Sequence, residues 1–212
     1  MALPGTTSGS RPNRAGRETR ALEDREMRQR RWAVTVGLVL LAAAPVGAAD
    51  ERGAVSVGGG VFAPYDGNPG GTALLGAEGR VSKHVSVGGE VEYRKSEMRI
   101  SSIPDVNVDS VNLRALVRYT WFPGPVHPYV GAGAGLGVHS FDGTARVGSY
   151  RVGVDGTGVG VGVLGLAGLD VPLGERVSLF AEGRVSGDLE TTLFSGDQVG
   201  GVSGLSGARI HF

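Results

Sequence analysis

The chain has 212 residues, 21 Lys+Arg against 21 Asp+Glu, and no cysteine. A formal charge of zero excludes a strong field toward nucleic acid, and the missing thiols exclude disulfide staples, thiolate zinc sites and a cysteine nucleophile. Glycine is the outlier: 38 residues, far above the usual roughly 7%, interleaved with Val, Leu and Ala and without the three-residue period of collagen.

Residues 1–26 are polar and carry no apolar period, which predicts a disordered extension or a start upstream of the true one at Met27. Residues 27–49 have the parts of a secretory signal peptide. Arg28, Arg30 and Arg31 form a basic region, Ala33 to Ala44 an apolar one, and Gly47-Ala48-Ala49 offers small residues for cleavage before Asp50. The apolar run is at the short limit for a membrane-spanning helix, and Pro45 with the small residues after it favours cleavage over anchoring. The exported domain is then 50–212.

Along that domain, eight runs alternate with period two: 54–63, 72–82, 85–95, 110–122, 129–139, 157–171, 177–186 and 201–212. In the third, Val85, Val87, Val91 and Tyr93 oppose Ser86, Glu90, Glu92 and Arg94. In the fourth, Val111, Leu113, Ala115, Val117, Tyr119 and Trp121 oppose Asn112, Arg114, Leu116, Arg118 and Thr120. Ordinary globular strands run about 5–6 residues, whereas a tilted strand needs about 9–11 to cross hydrocarbon. The run lengths therefore predict an all-β, eight-stranded antiparallel up-and-down transmembrane barrel. Connectors alternate as well. Lys83-His84, 123–128 and 172–176 are tight, while 64–71, 96–109, 140–156 and 187–200 are longer. Short periplasmic turns and longer outer loops are expected of an outer-membrane barrel, with both ends of the domain in the periplasm.

Charge sets the orientation. Glu78, Arg80, Glu90, Glu92, Arg94, Arg114, Arg118, Glu182, Arg184 and Arg209 all fall on the polar faces of their runs, and the opposite faces are aliphatic. A water-soluble barrel would need bulky inward residues, yet the apolar faces include Ala132, Ala134, Ala181 and Gly183. The inverted arrangement follows: aliphatic faces to lipid, charges in the lumen. The interior of eight strands is just wide enough for side chains. Gly131, Gly133, Gly135 and Gly137, with Gly158, Gly160 and Gly162, then form bare inner walls that leave room for arginine and glutamate from other strands. Buried charges must pair, so the expectation is a lumen plugged by ion pairs. Tyr93, Tyr119 and Trp121, near strand ends on the lipid side, predict a thin interfacial girdle.

The final run, GLSGARIHF, places Ala208, Ile210 and Phe212 on one face and ends in an aromatic residue. This resembles the assembly signal of outer-membrane barrels. HPYVGAGAGLGV, followed by ERVSLFAEGRV, resembles the OmpA/OmpX/OmpW-like eight-stranded outer-membrane β-barrel superfamily over about 50–212. The resemblance implies a location in the outer membrane of a Gram-negative-type bacterium and contact with outer-membrane lipids and the barrel assembly machinery. It also implies extracellular loops open to a ligand or partner. Long strand extensions of the OmpX kind are not expected, and the connectors read as moderate Gly/Asp/Ser-rich loops.

Gly160 to Gly165 matches G-x-G-x-x-G, but the dinucleotide fingerprint needs a helix after it, and LAGLDVPLG continues the period of two. His139 and Ser140 raise the His-x-Ser pair of lipid-acting barrel enzymes; as neighbours on a strand they point to opposite faces. His84, His127 and His211 show no metal-ligand spacing. Asp66, Asp105, Asp109, Asp142, Asp155, Asp188 and Asp197 read as solvated charge in or near the long loops. The expectation is a non-enzymatic chain without cofactor, metal or nucleic-acid partner. It has a structural or binding role through its loops, or else forms a narrow pore for small solutes.

Overall fold

Alternating side chains take opposite faces of a strand, and the alternating runs become strands in a computed structural model of the chain. The structure describes residues 53–100, 103–147, 150–190 and 198–212. The extension 1–26 and the signal peptide expected at 27–49 lie outside the described residues. The strands are β1 (Gly53–Pro64), β2 (Gly67–Arg80), β3 (Val85–Ile100), β4 (Ile103–Thr120), β5 (His127–Val147), β6 (Tyr150–Pro172), β7 (Val177–Glu190) and β8 (Gln198–His211). Each pairs antiparallel with the next, and β8 returns to β1 to close the barrel. The seam runs from Ala54↔His211 to Pro64↔Gly201. Gly53 N–H donates to the Phe212 carbonyl at 2.9 Å, and Phe212 N–H to the Gly53 carbonyl at 3.0 Å. Among the described residues each strand is paired on both sides, as a bilayer requires.

The two faces differ as their charges demand. Outward-facing Val57, Val61, Leu136 and Val163 are each more than half exposed, whereas inward-facing Glu92, Asn112 and His139 are fully buried. The outward apolar band runs from Val85 to Tyr93 on β3, from Trp121 to Val111 at the end of and along β4, and from Val130 to Val138 on β5. Each stretch fits the roughly 9–11 residues of a tilted membrane strand. Past this band the outward positions turn polar at Lys95, Glu97, Asn107, Asp109 and Asp142.

The connectors at that end correct the sequence reading. Most of 64–71, 96–109 and 140–156 is strand, as are 187–190 and 198–200. β5 and β6 stay paired out to Val147↔Tyr150, so strand extensions exist where moderate loops were expected. The ladder bonds backbone groups whatever side chains they carry. Beyond the bilayer the outward face has no need to be apolar, so Asp and Gly there do not end a strand. Only Tyr65 and Asp66 separate β1 from β2. The turn relies on Gly67 at φ 148°, a conformation that L side chains rarely adopt. Pro69, which cannot donate to a ladder, falls in the register shift between Asn68 and Gly71.

Candidate functional site

The inward faces of β3, β4 and β7 carry most of the charge. Parity puts Glu90, Glu92 and Arg94 on one side of β3, Asn112, Arg114 and Arg118 on one side of β4, and Glu182, Arg184 and Asp188 on one side of β7. Glu78 on β2, Asp170 on β6 and Arg209 on β8 complete the set. Arg184 forks onto Glu90 through two bonds of 2.7 and 2.8 Å and also meets Glu182. Glu92 accepts from Arg114 at 2.7 Å and Arg94 at 2.8 Å and lies 3.6 Å from Arg184. Arg114 reaches Asp188 at 3.4 Å. Arg118 bridges Glu78 and Glu182, the latter at 3.6 Å. Arg209 joins Asp170 at 3.0 Å and Glu78 at 3.3 Å. Charge-assisted bonds of this kind are the strong ones, and shared partners link them into a chain along the lumen.

Arg80 stands apart from these pairs. It lies at the turn end of the barrel with its guanidinium 5.4 Å from the centre of the Phe122 ring. One acid was misread in the sequence and another not singled out: Asp188 is buried and ion-paired rather than a solvated loop charge, and Asp170 is buried beside Arg209. Their signal was parity, since Asp188 falls in phase with Glu182 and Arg184, and Asp170 with Gly158, Gly160 and Gly162. Three inward aromatics were missed too. Arg94 lies 4.5 Å from the Phe62 ring, Arg118 lies 4.7 Å from Tyr129, and Arg209 lies 5.3 Å from Phe180. Guanidinium over an aromatic face is favourable where water is excluded.

The glycine walls of β5 and β6 face this network. A β-carbon at Gly137 would sit 2.6 Å from Asn112 Oδ1, and one at Gly131 would sit 2.9 Å from Leu166 Cδ1. One at Gly162 would overlap the Asp188 carboxylate. At Gly137 and Gly162 side chains of the neighbouring strands take the space, while at Gly135 the nearest atom is the Leu113 carbonyl oxygen.

The two ends of the lumen differ. Past Arg94 the buried inward positions include apolar Phe62, Val106, Val108 and Phe141, with Ser96 among them. At the turn end a cavity of about 400 Å³ is lined by Arg80, His84, Phe122, His127 and His211, among others.

The remaining motifs also find places. Gly160 to Gly165 lies wholly inside β6, with strand on both sides. His139 Nδ1 lies 2.8 Å from Ser110 Oγ inside the barrel, while Ser140 takes the opposite face. Asp66 and Asp142 are exposed, and Asp109 accepts a 2.7 Å bond from the outward Tyr93 hydroxyl. The side chains of Asp105 and Asp155, and Asp197 altogether, lie outside the described residues. Tyr119 and Trp121 pack edge to face at 4.8 Å at the turn end of the outer surface, and Ile210 and Phe212 are exposed there.

No curated protein sequence matches the chain significantly. Among solved structures, Neisserial surface protein A superposes with a TM-score of 0.53 at 21% identity, covering 79% of this chain and all of the other. Ail, the attachment invasion locus protein of Yersinia pestis, crystallised with the heparin analogue sucrose octasulfate, superposes with a TM-score of 0.51 at 16% identity. That match covers 76% of this chain and 99% of Ail. The model of the outer membrane protein β-barrel domain matches residues 34–206. With its inside-out faces and closed eight-strand topology, the chain belongs to this family of outer-membrane β-barrels of Gram-negative-type bacteria.

Proposed function

We propose that this barrel is a surface-display protein with a plugged lumen, whose binding work is done by the strand extensions beyond the outer edge of the apolar band. The single observation carrying this reading is the continuous set of buried ion pairs, with Phe62, Val106, Val108 and Phe141 buried beyond it. Moving an ion through that layer would mean separating buried charge pairs, which is costly. The β3–β4 and β5–β6 hairpins continue past the band and present exposed polar positions such as Glu97 and Asn107. Ail, of the same fold, is a precedent for a bound polyanion on such a scaffold. The test is planar-bilayer recording with the purified, refolded barrel. The expected result is no steady conductance; stable unitary openings would establish the narrow pore instead.

The outward Phe212 and Ile210 fit an assembly signal, and Tyr93, Tyr119 and Trp121 fit an interfacial girdle in contact with outer-membrane lipids. Removing Phe212 is expected to slow appearance of the heat-modifiable folded form in cells. Unchanged assembly would remove the signal role.

A further inference from the structure

The turn-side mouth holds groups that the ion-pair network does not use. Its cavity of about 400 Å³ is in the range of small-ligand sites, about 300–1,000 Å³. Three of the chain's four histidines line it. His84, from the turn before β3, stacks on Tyr119 at 5.5 Å and donates from Nδ1 to the Thr120 carbonyl at 2.9 Å. Phe122 meets His127 edge to face at 4.8 Å. His211 Nε2 lies 2.9 Å from Ser178 Oγ; that hydroxyl donates to Asp170, so the imidazole N–H donates to it. These contacts fix the rings in place around the opening.

The charge left over is positive. The two buried-side acids here, Glu78 and Asp170, already accept from Arg118 and Arg209. Arg80 rests on Phe122, and neither it nor Lys83 has an ion pair among the described residues. Glu175 is the acid that remains at the rim. The histidines do not converge into a metal-binding group among the described residues. A ring-lined cup with spare guanidinium and ammonium groups suits a compact anion.

We infer that the periplasmic mouth is a binding site for a small anion bearing a carboxylate or phosphate group, with Arg80 and Lys83 as its charged contacts. This site is independent of the extracellular reading, because it lies at the opposite end of the barrel. The experiment is NMR of histidine-labelled, refolded barrel in an uncharged detergent, titrated with inorganic phosphate or acetate at constant ionic strength against sodium chloride. The expected result is saturable movement of the His84, His127 and His211 ring signals at millimolar concentrations. His139, enclosed in the lumen, should stay still. Response to phosphate, to acetate or to both supports the site and names its preferred group. The double variant R80Q/K83Q should bind about tenfold more weakly. Lys83→Gln alone, in an exposed turn, provides a second variant that leaves the barrel wall untouched. Absence of saturable shifts, an equal response to chloride, or unchanged binding in both variants overturns the proposal.

Discussion

The lumen has two unlike walls. β5 and β6 line it with Gly131, Gly133, Gly135, Gly137, Gly158, Gly160 and Gly162, while β3, β4 and β7 fill it with arginine and carboxylates. Neither wall is intelligible alone. Bare glycine strands would leave a void, and the long side chains that β3, β4, β7 and β8 send into an eight-stranded cylinder need the room that the glycines leave. Asymmetry is how a narrow barrel accommodates long side chains without widening. Where a β-carbon is excluded by a side chain, as at Gly137 and Gly162, the neighbours are Asn112, His139 and Asp188, members or close neighbours of the polar filling.

Breaking the filled wall should have the largest effect. Glu92→Leu takes from Arg94 and Arg114 the carboxylate they share most closely in the buried lumen, leaving them Asp188 at 4.0 and 3.4 Å. The expected loss is about 3–5 kcal/mol of unfolding free energy, measured by urea titration of the folded barrel in micelles. Filling the bare wall is the next test, and it has an internal contrast on one strand. Gly162→Val drives a side chain onto the Asp188 carboxylate and should cost about 1–3 kcal/mol. Gly165→Ala, outward and with nothing within 4 Å of the added carbon, should change stability by no more than about 0.5 kcal/mol. Equal losses at the two positions would mean that glycine serves the backbone and not the volume of the lumen.

Much of this architecture is legible in the sequence, because parity alone sorts the residues of a long strand. Arg114 and Arg118 share a phase, Leu113 and Val117 the other, and lipid must receive the second pair. Pairing across the lumen is not legible in that way. Glu90 lies directly opposite Arg114 in the β3–β4 ladder, which makes those two the natural guess. Instead Glu90 forks with Arg184 on β7, and Arg114 turns to Glu92 and Asp188. Strand tilt and stagger choose partners across a barrel, and both depend on closure of the whole sheet. Asp188 and Asp170 were obscured for a different reason. Each sits near the end of an alternating run, where polarity suggests solvent although phase points inward. The extended hairpins were hidden by composition, since Gly and Asp suggest a loop even where ladder bonds continue.

The seam between β1 and β8 has a consequence for biogenesis. The opening strand's partner is the last of the eight to leave the ribosome, so its outer hydrogen-bonding edge must wait through synthesis of everything between. Non-local closure of this sort is slow, and the waiting edge would readily template unwanted pairing. The cylinder can therefore be completed only once the last strand is present, with acyl chains receiving the valines of its outer face.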